Sequence, residues 1–273
     1  MSIIHRILAS LEARLSQPRL SLWRTAYANF RLLPFTQAVH FPIFIYGRVK
    51  LFILIGSVEI KVPIKKGMIK IGMNTESFSC FDGSGFLQIC NGCKIIFNGP
   101  AQFGINTKIR LVGANLIVGK NVFIGSSVRI ICNGADVTIG DYDRIAFETT
   151  IMSSSFHYIY NTAKHGYGRT ARPIHLGAYN WIGNRTTISA GTVTKSNTIV
   201  GSGSLLNRDY TQLEGKAPLL GGQPAKMLGT GFKRIFSPLT HAKIEQYFDE
   251  HPEATFFDSG ELPDNISALD DAF

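Results

Sequence analysis

The chain has 273 residues, 45% of them hydrophobic, and a formal net charge of +9. That length and apolar content support one good core with two small appendages and exclude a disordered chain. The longest apolar runs, residues 41–46 and 51–55, stop at Gly47 and Gly56, well short of the roughly 18 residues a spanning helix needs. Arg6, Glu12 and Arg14 interrupt the stretch where a secretory leader would lie, so no leader is expected and the chain is expected to be cytoplasmic. The charge is unevenly divided: residues 241–273 hold nine Asp or Glu and one Lys, which leaves 27 basic against 10 acidic residues before them. A basic body suits a polyanionic partner, whether cofactor phosphates, an acidic glycan or an anionic membrane surface. Nucleic acid is not expected, because no recognition motif occurs and the basic residues do not follow one helix.

In chain order, Ile4, Leu8, Leu11 and Leu15 have helical spacing, with charged residues elsewhere around the turn and Pro18 ending it. This N-terminal helix packs on the body or a neighbouring subunit, or makes peripheral contact with a membrane. Residues 41–64 resemble short strands that lead into a long repetitive region. From about residue 68 to 210 an aliphatic residue recurs every six positions: Val118, Ile124 and Ile130; Ile139, Ile145 and Ile151; then Leu176, Ile182, Ile188, Val200 and Leu206. Glycine comes directly after many of them, as at Gly119, Gly125, Gly140, Gly177, Gly183 and Gly201. A six-residue period is neither helical nor a simple alternation; it predicts a hexapeptide coil whose short strands enclose a narrow prism. Ile71 to Ile89 reads as one triangular turn, and the blur between Pro100 and Leu116 as irregular corners. The expected segments are 1–67, helix and short strands; 68–212, the coil; and 213–273, an extension with a helix over 238–250 and an acidic tail.

The largest break comes after Ile151, where the next residue in phase is Leu176. Residues 152–175 must leave the coil and return, carrying Phe156, His157, Tyr158, His165, Tyr167, Arg169 and Arg172, and ejected loops are where sites are built. Cys80, Cys90, Cys93 and Cys132 do not look like a disulfide framework, and the CxxC of Cys90 and Cys93 lacks a second pair for zinc, so no metal is expected.

Four ordered motifs carry a resemblance: Arg172-Pro173-Ile174-His175-Leu176-Gly177-Ala178-Tyr179-Asn180-Trp181-Ile182-Gly183, Ile188-Ser189-Ala190-Gly191, Val200-Gly201-Ser202-Gly203-Ser204 and Gly222-Gln223-Pro224-Ala225-Lys226. Over roughly residues 68–230 the chain resembles the hexapeptide-repeat acyltransferases of the xenobiotic and sugar O-acetyltransferase group, and among them those of surface-polysaccharide biosynthesis. The resemblance implies an all-β, left-handed parallel β-helix, a homotrimer with sites in clefts between neighbouring coils, and acetyl-CoA as co-substrate. It places the general base at His157, within Ser154-Ser155-Phe156-His157. A sugar hydroxyl is too weak an acid to attack a thioester unaided near neutral pH, and an imidazole can take its proton as the bond forms. It assigns Ser189, Ala190, Gly201 and Ser202 to the pantetheine arm and Lys226, Lys195 and Arg208 to the cofactor phosphates, while Trp181 either stacks on a ligand or packs the coil. Backbone amides after Trp181 or near residues 189–191 are the oxyanion candidates.

The chain departs from that group where an acceptor-holding asparagine is customary, since Ser127 stands there, and where an aspartate is customary, since Cys132 does. Arg144, Glu148, Tyr158, His165 and Arg169 join Ser127 as candidates for the saccharide acceptor. Thr194-Lys195 replaces the usual Ile-Gly, weakening the phase. The expected activity is O-acetylation of a saccharide in cell-envelope polysaccharide biosynthesis. Alternatives are N-acylation of an amino sugar, a γ-class carbonic anhydrase-like metalloenzyme using His157, His165 and His175, and a noncatalytic scaffold.

Overall fold

Aliphatic side chains six residues apart can share one interior only if the chain turns a corner between them, and the computed structural model, described over residues 17–74 and 83–260, shows three such corners per coil. Face I contains β1 (Ile43–Ile45), β4 (Ile69–Met73), β7 (Ala101–Gly104), β10 (Val122–Ile124), β13 (Arg144–Ile145), β18 (Trp181–Ile182), β20 (Ile199–Val200) and β22 (Leu219–Gly222), and ends in the antiparallel β23 (Ala225–Gly229). Face II contains β2 (Val49–Leu54), β5 (Gly85–Ile89), β8 (Lys108–Val112), β11 (Arg129–Asn133), β14 (Thr150–Met152), β19 (Thr187–Ser189) and β21 (Leu205–Leu206). Face III contains β3 (Ser57–Ile60), β6 (Lys94–Phe97), β9 (Leu116–Val118), β12 (Val137–Ile139) and β17 (Ile174–His175). Apart from the β22–β23 pair, every pairing on these faces is parallel; the crossover that parallel neighbours need is supplied by the other two faces. This is a parallel β-helix.

Register explains the period. Phe103, Ile124, Ile145, Ile182, Val200 and Leu220 stack on face I, and Ile109, Ile130, Ile151, Ile188 and Leu206 on face II, all buried. Each such side chain contributes about 1.5–3 kcal/mol by leaving water. A coil takes 21 residues between Phe103 and Ile124 or Ile130 and Ile151, and 18 between Ile182 and Val200. The three additional residues lie between faces II and III, where Gly113 and Gly134 take the left-handed conformation that glycine adopts without penalty.

Three readings of the sequence change. The coil starts at β1, not near residue 68, because β1, β2 and β3 pair with β4, β5 and β6. Ile71 to Ile89 is no full turn: Ile71 lies on face I and Ile89 on face II, and the true turn runs from Ile71 to Phe103. The stretch 100–116 is regular, since β7 and β8 form it; five-residue β8 buries Ile109 and Leu111 and so obscures the beat. Gly119, Gly125, Gly140, Gly177, Gly183 and Gly201, which directly follow inward residues, do not themselves take left-handed backbone. Left-handed backbone falls two residues later, at Asn121, Ser127, Tyr142, Tyr179 and Arg185. The glycines are required by the coils' close approach: a Cβ on Gly140 would lie 2.4 Å from the Gly177 carbonyl oxygen, and one on Gly177 2.5 Å from Lys195 backbone. Gly140→Ala is therefore expected to destabilise the protein by about 1–3 kcal/mol, measured by thermal or denaturant unfolding.

Ahead of the first coil, α1 (Leu22–Leu32) lies against β1, β2 and β3, succeeded by the short α2 (Phe35–Ala38). The buried side of α1 is Thr25, Ala28, Asn29 and Leu32. Asn29 donates to the Ile43 carbonyl at 2.7 Å and accepts from the Ile43 amide at 3.1 Å, and Thr25 Oγ1 accepts from the Ile45 amide at 3.0 Å. The outermost strand of face I thereby has its hydrogen bonds completed by a helix. The helix expected over residues 4–15 lies outside the described residues. The body runs to Phe232, and Lys233–Phe273 forms a second compact unit. That unit contains α3 (Pro238–Glu250), starting where Ser237 Oγ accepts from the Thr240 amide and proline occupies the first turn.

Candidate active site

The ejected loop leaves where β14 ends. Met152 pairs with Ser189 of the next coil, and buried Ser153 accepts from the Asn133 amide through its Oγ at 2.9 Å while its carbonyl takes the Arg172 amide at 3.0 Å. Ser154 bridges Ala171, and the Ser155 amide reaches the Thr170 carbonyl at 3.3 Å, so the two loop strands are closed at their root. Ser154 Oγ then accepts from the Phe156 amide at 3.1 Å; Phe156 takes a left-handed conformation and the chain turns at once into His157. His157 is exposed, and Ser155 Oγ donates to its carbonyl at 3.4 Å. Beyond it the loop forms a hairpin of β15 (Tyr160–Asn161) and β16 (Gly166–Tyr167), with the Tyr160 and Tyr167 rings 5.2 Å apart and His165 left-handed in its turn. Tyr158, His165 and Arg169 are all exposed on this hairpin or its stem.

The predicted site residues divide among the prism's edges. The II/III edge carries His157 with its loop, then Ser189 and buried Ala190 one coil on, then exposed Arg208, whose guanidinium lies 5.2 Å over the Tyr210 ring. Arg172, to which the motifs give no role, also lies here: a Cβ on Gly191 would come within 2.9 Å of its guanidinium carbon. The I/II edge carries Ser127, Glu148, Gly201 and Ser202. Ser127 accepts a 3.0 Å bond from Asn106, Glu148 is ion-paired with Arg185 Nε at 2.7 Å, and Ser202 Oγ bonds Asn184. Arg144 and Trp181 are cross-strand neighbours on face I. Lys226 is exposed on β23, opposite Gly221. Lys195 sits on the III/I edge with two of its three donors already on the carbonyls of Leu213 and Gly215, so it braces the chain there. One chain thus places His157 on the same edge as Ser189, Ala190 and Arg208, and places Gly201, Ser202, Trp181 and Lys226 elsewhere on the prism.

Two of the oxyanion candidates are already engaged, since the Gly183 and Gly191 amides donate to Val200 and Pro173. His175, on β17, donates its amide to the Thr192 carbonyl, and among the described residues no three His, Cys, Asp or Glu side chains come together around a metal position. Cys90 and Cys93 are free thiols at the II/III corner of the second coil, and burial pushes the Cys132 thiol up, so it stays protonated. The Thr194 departure has a structural reason: its Oγ1 accepts from Asn180 Nδ2 at 2.8 Å and from the Gly177 amide at 3.1 Å, satisfying a buried asparagine. Asp143 completes that ladder, accepting from the Asn180 and Gly140 amides; burial nonetheless pushes its carboxyl well above the usual range.

No protein-family model matches the chain. Over 97 residues it is 29% identical to the galactoside O-acetyltransferase of Escherichia coli strain K12, covering 36% of this chain and 47% of that one. The chain thus spans about half the length of this curated relative. Among solved structures it is similar to the polySia-specific acetyltransferase NeuO, at 18% identity over 80% of this chain and 82% of that one, with a TM-score of 0.48. It is similar also to the polysialic acid O-acetyltransferase OatWY, at 18% identity, 73% and 95% coverage and a TM-score of 0.39. The N-acyltransferase AntD of Bacillus cereus gives 12% identity, 77% and 88% coverage and a TM-score of 0.35. Six-residue coil, loop ejected at a histidine and likeness in sequence to a sugar acetyltransferase coincide in one chain, which is similar to the hexapeptide-repeat acyltransferases.

Proposed function

We propose that this protein is an acetyl-CoA-dependent O-acetyltransferase that esterifies a saccharide hydroxyl, acting in the cytoplasm in cell-envelope polysaccharide biosynthesis. The observation that carries the reading is His157 at the neck of a loop rooted beside Ser189 and Ala190. The likeness to a galactoside O-acetyltransferase supports the acceptor class. In the proposed step the sugar oxygen attacks the thioester carbonyl carbon while His157 takes the hydroxyl proton. The carbonyl becomes an oxyanion held by backbone amides, the C–S bond breaks as the carbonyl reforms, and the imidazolium returns its proton to the departing thiolate. No covalent acyl-enzyme is needed.

The distribution over separate edges supports a homotrimer as the working form. The II/III edge of one copy would supply His157, Ser189, Ala190 and Arg208, and its neighbour would supply Gly201 and Ser202 from its I/II edge with Trp181 and Lys226 from its face I. Phe156, Tyr158, Ile159 and Tyr167 are exposed on the loop, as expected of side chains that a neighbouring copy covers. Light scattering on the purified protein should give three times the 30.1 kDa chain mass. The activity is tested by thiol release from acetyl-CoA over neutral and acidic sugars and amino sugars. Release dependent on hydroxyl acceptors supports the reading; release with amino sugars alone would make it an N-acyltransferase, and release with none would remove it.

A further inference from the structure

The helix α1 is inside out. Its inward side includes Thr25 and Asn29, used on β1, while Trp23, Tyr27 and Phe30, at i, i+4 and i+7, form a stripe facing away from the core, 62%, 49% and 48% exposed. A solenoid's terminal cap ordinarily needs a polar outer face to stay in solution. Here the stripe continues into Phe35, 72% exposed, whose ring lies 6.0 Å from that of Phe30. It continues also into the first coil, where β2 shifts register between Leu51 and Leu54 and exposes Phe52, Ile53 and Ile55. Ile53 has φ +49°, a conformation costly for a β-branched residue, so this protrusion is held against local preference.

The charges on the segment that forms this surface have one sign. From residue 13 to residue 58 the chain contains no Asp or Glu, while Arg19, Arg24, Arg31, Arg48 and Lys50 are all present. Trp23, Arg24, Tyr27, Arg48 and Lys50 line one open cleft of about 460 Å³ beside α1. Arg24 stacks over the Trp23 ring at 4.7 Å, and Lys50 lies over Phe52 at 5.4 Å. Exposed Trp, Tyr and Phe interleaved with Arg and Lys, on a segment without acids, match the boundary between anionic headgroups and acyl chains, where aromatic rings insert and cations meet phosphates. A soluble acidic glycan would account for the cations and two rings, but not for Phe30, Phe35, Ile53 and Ile55.

We propose that this cap is a docking surface for an anionic phospholipid leaflet, seating the prism end-on with Trp23, Tyr27, Phe30 and Phe35 in the interface and Arg24, Arg48 and Lys50 on lipid phosphates. The proposal does not depend on the acetyltransferase reading. The full chain is floated with vesicles of phosphatidylcholine, with and without phosphatidylglycerol, at low and high salt, beside the double variant Trp23→Ser, Phe35→Ser. The wild type should bind only vesicles containing phosphatidylglycerol and be released by salt, and the variant should bind about tenfold more weakly or less. Both substituted side chains are exposed, so melting temperature and thiol release with a soluble acceptor should be unchanged. Undiminished binding by the variant, or no binding by the wild type, overturns the proposal. So does a change of oligomeric mass in the variant, which would assign the surface to a second copy, or its loss of affinity for an acidic polysaccharide alone.

Discussion

His157→Ala is expected to lower acetyl transfer by about 10²–10⁴-fold, the usual worth of a positioned proton acceptor. The loss should fall on kcat, with KM for acetyl-CoA little changed, because in the proposed step the imidazole takes a proton only as the C–O bond forms. His157 lies in an exposed loop, so its removal orphans no buried group, and the melting temperature should match wild type within about 1 °C. That pairing of lost turnover with unaltered stability distinguishes a base from a residue that holds the loop. His165→Ala, on the same hairpin but beyond its neck, serves as the control and should weaken acceptor binding without a comparable fall in turnover. Full transfer by the His157 variant would remove its assigned role.

The largest stability effect is expected at Asn180. Its side chain donates to the Gly177 carbonyl and Thr194 Oγ1, each at 2.8 Å, and accepts from the Thr198 amide at 2.7 Å, while its own amide donates to Asp143. Asn180, Asp143, Thr194 and Thr198 are all buried within the coil corner. Asn180→Ala leaves the Thr198 amide and the Gly177 carbonyl without these partners, at about 1–3 kcal/mol for each group denied a bond. A fall of several kcal/mol corresponds to roughly 6–12 °C in melting temperature for a body of this size. Differential scanning calorimetry would measure it, with Lys243→Ala, an exposed change on α3, as the reference within about 0.5 kcal/mol. A shift no larger than that of the reference would show that the ladder contributes nothing.

The sequence reveals the middle of the prism because Ile124, Ile145, Ile182 and Val200 occupy the same inward position in successive coils, and chemistry forbids a polar group there without a partner. Thr194 is the informative exception, legible only once Asn180 is seen beside it. The loop is legible for the opposite reason, as the place where the beat fails. What a six-residue period cannot convey is which edge a residue occupies, since one inward residue follows another at the same spacing whichever face it starts from. The first coil is hidden because the irregular register at Ile53 and the wide sequence spacing between Ile71 and its partner Phe103 break its phase. Helix α1 is hidden because its apolar stripe points outward and so resembles no core-facing pattern.

Thr25 and Asn29 also bear on what the prism can join. Stacked parallel coils present an open rung at each extremity, and an open rung accepts the next molecule as readily as the next coil of its own chain. By occupying the donors and acceptors of Ile43 and Ile45 at one extremity, and folding β23 back on β22 at the other, this chain limits its own length. Growth of face I into fibres through end-to-end addition is thereby opposed at both of its outermost strands.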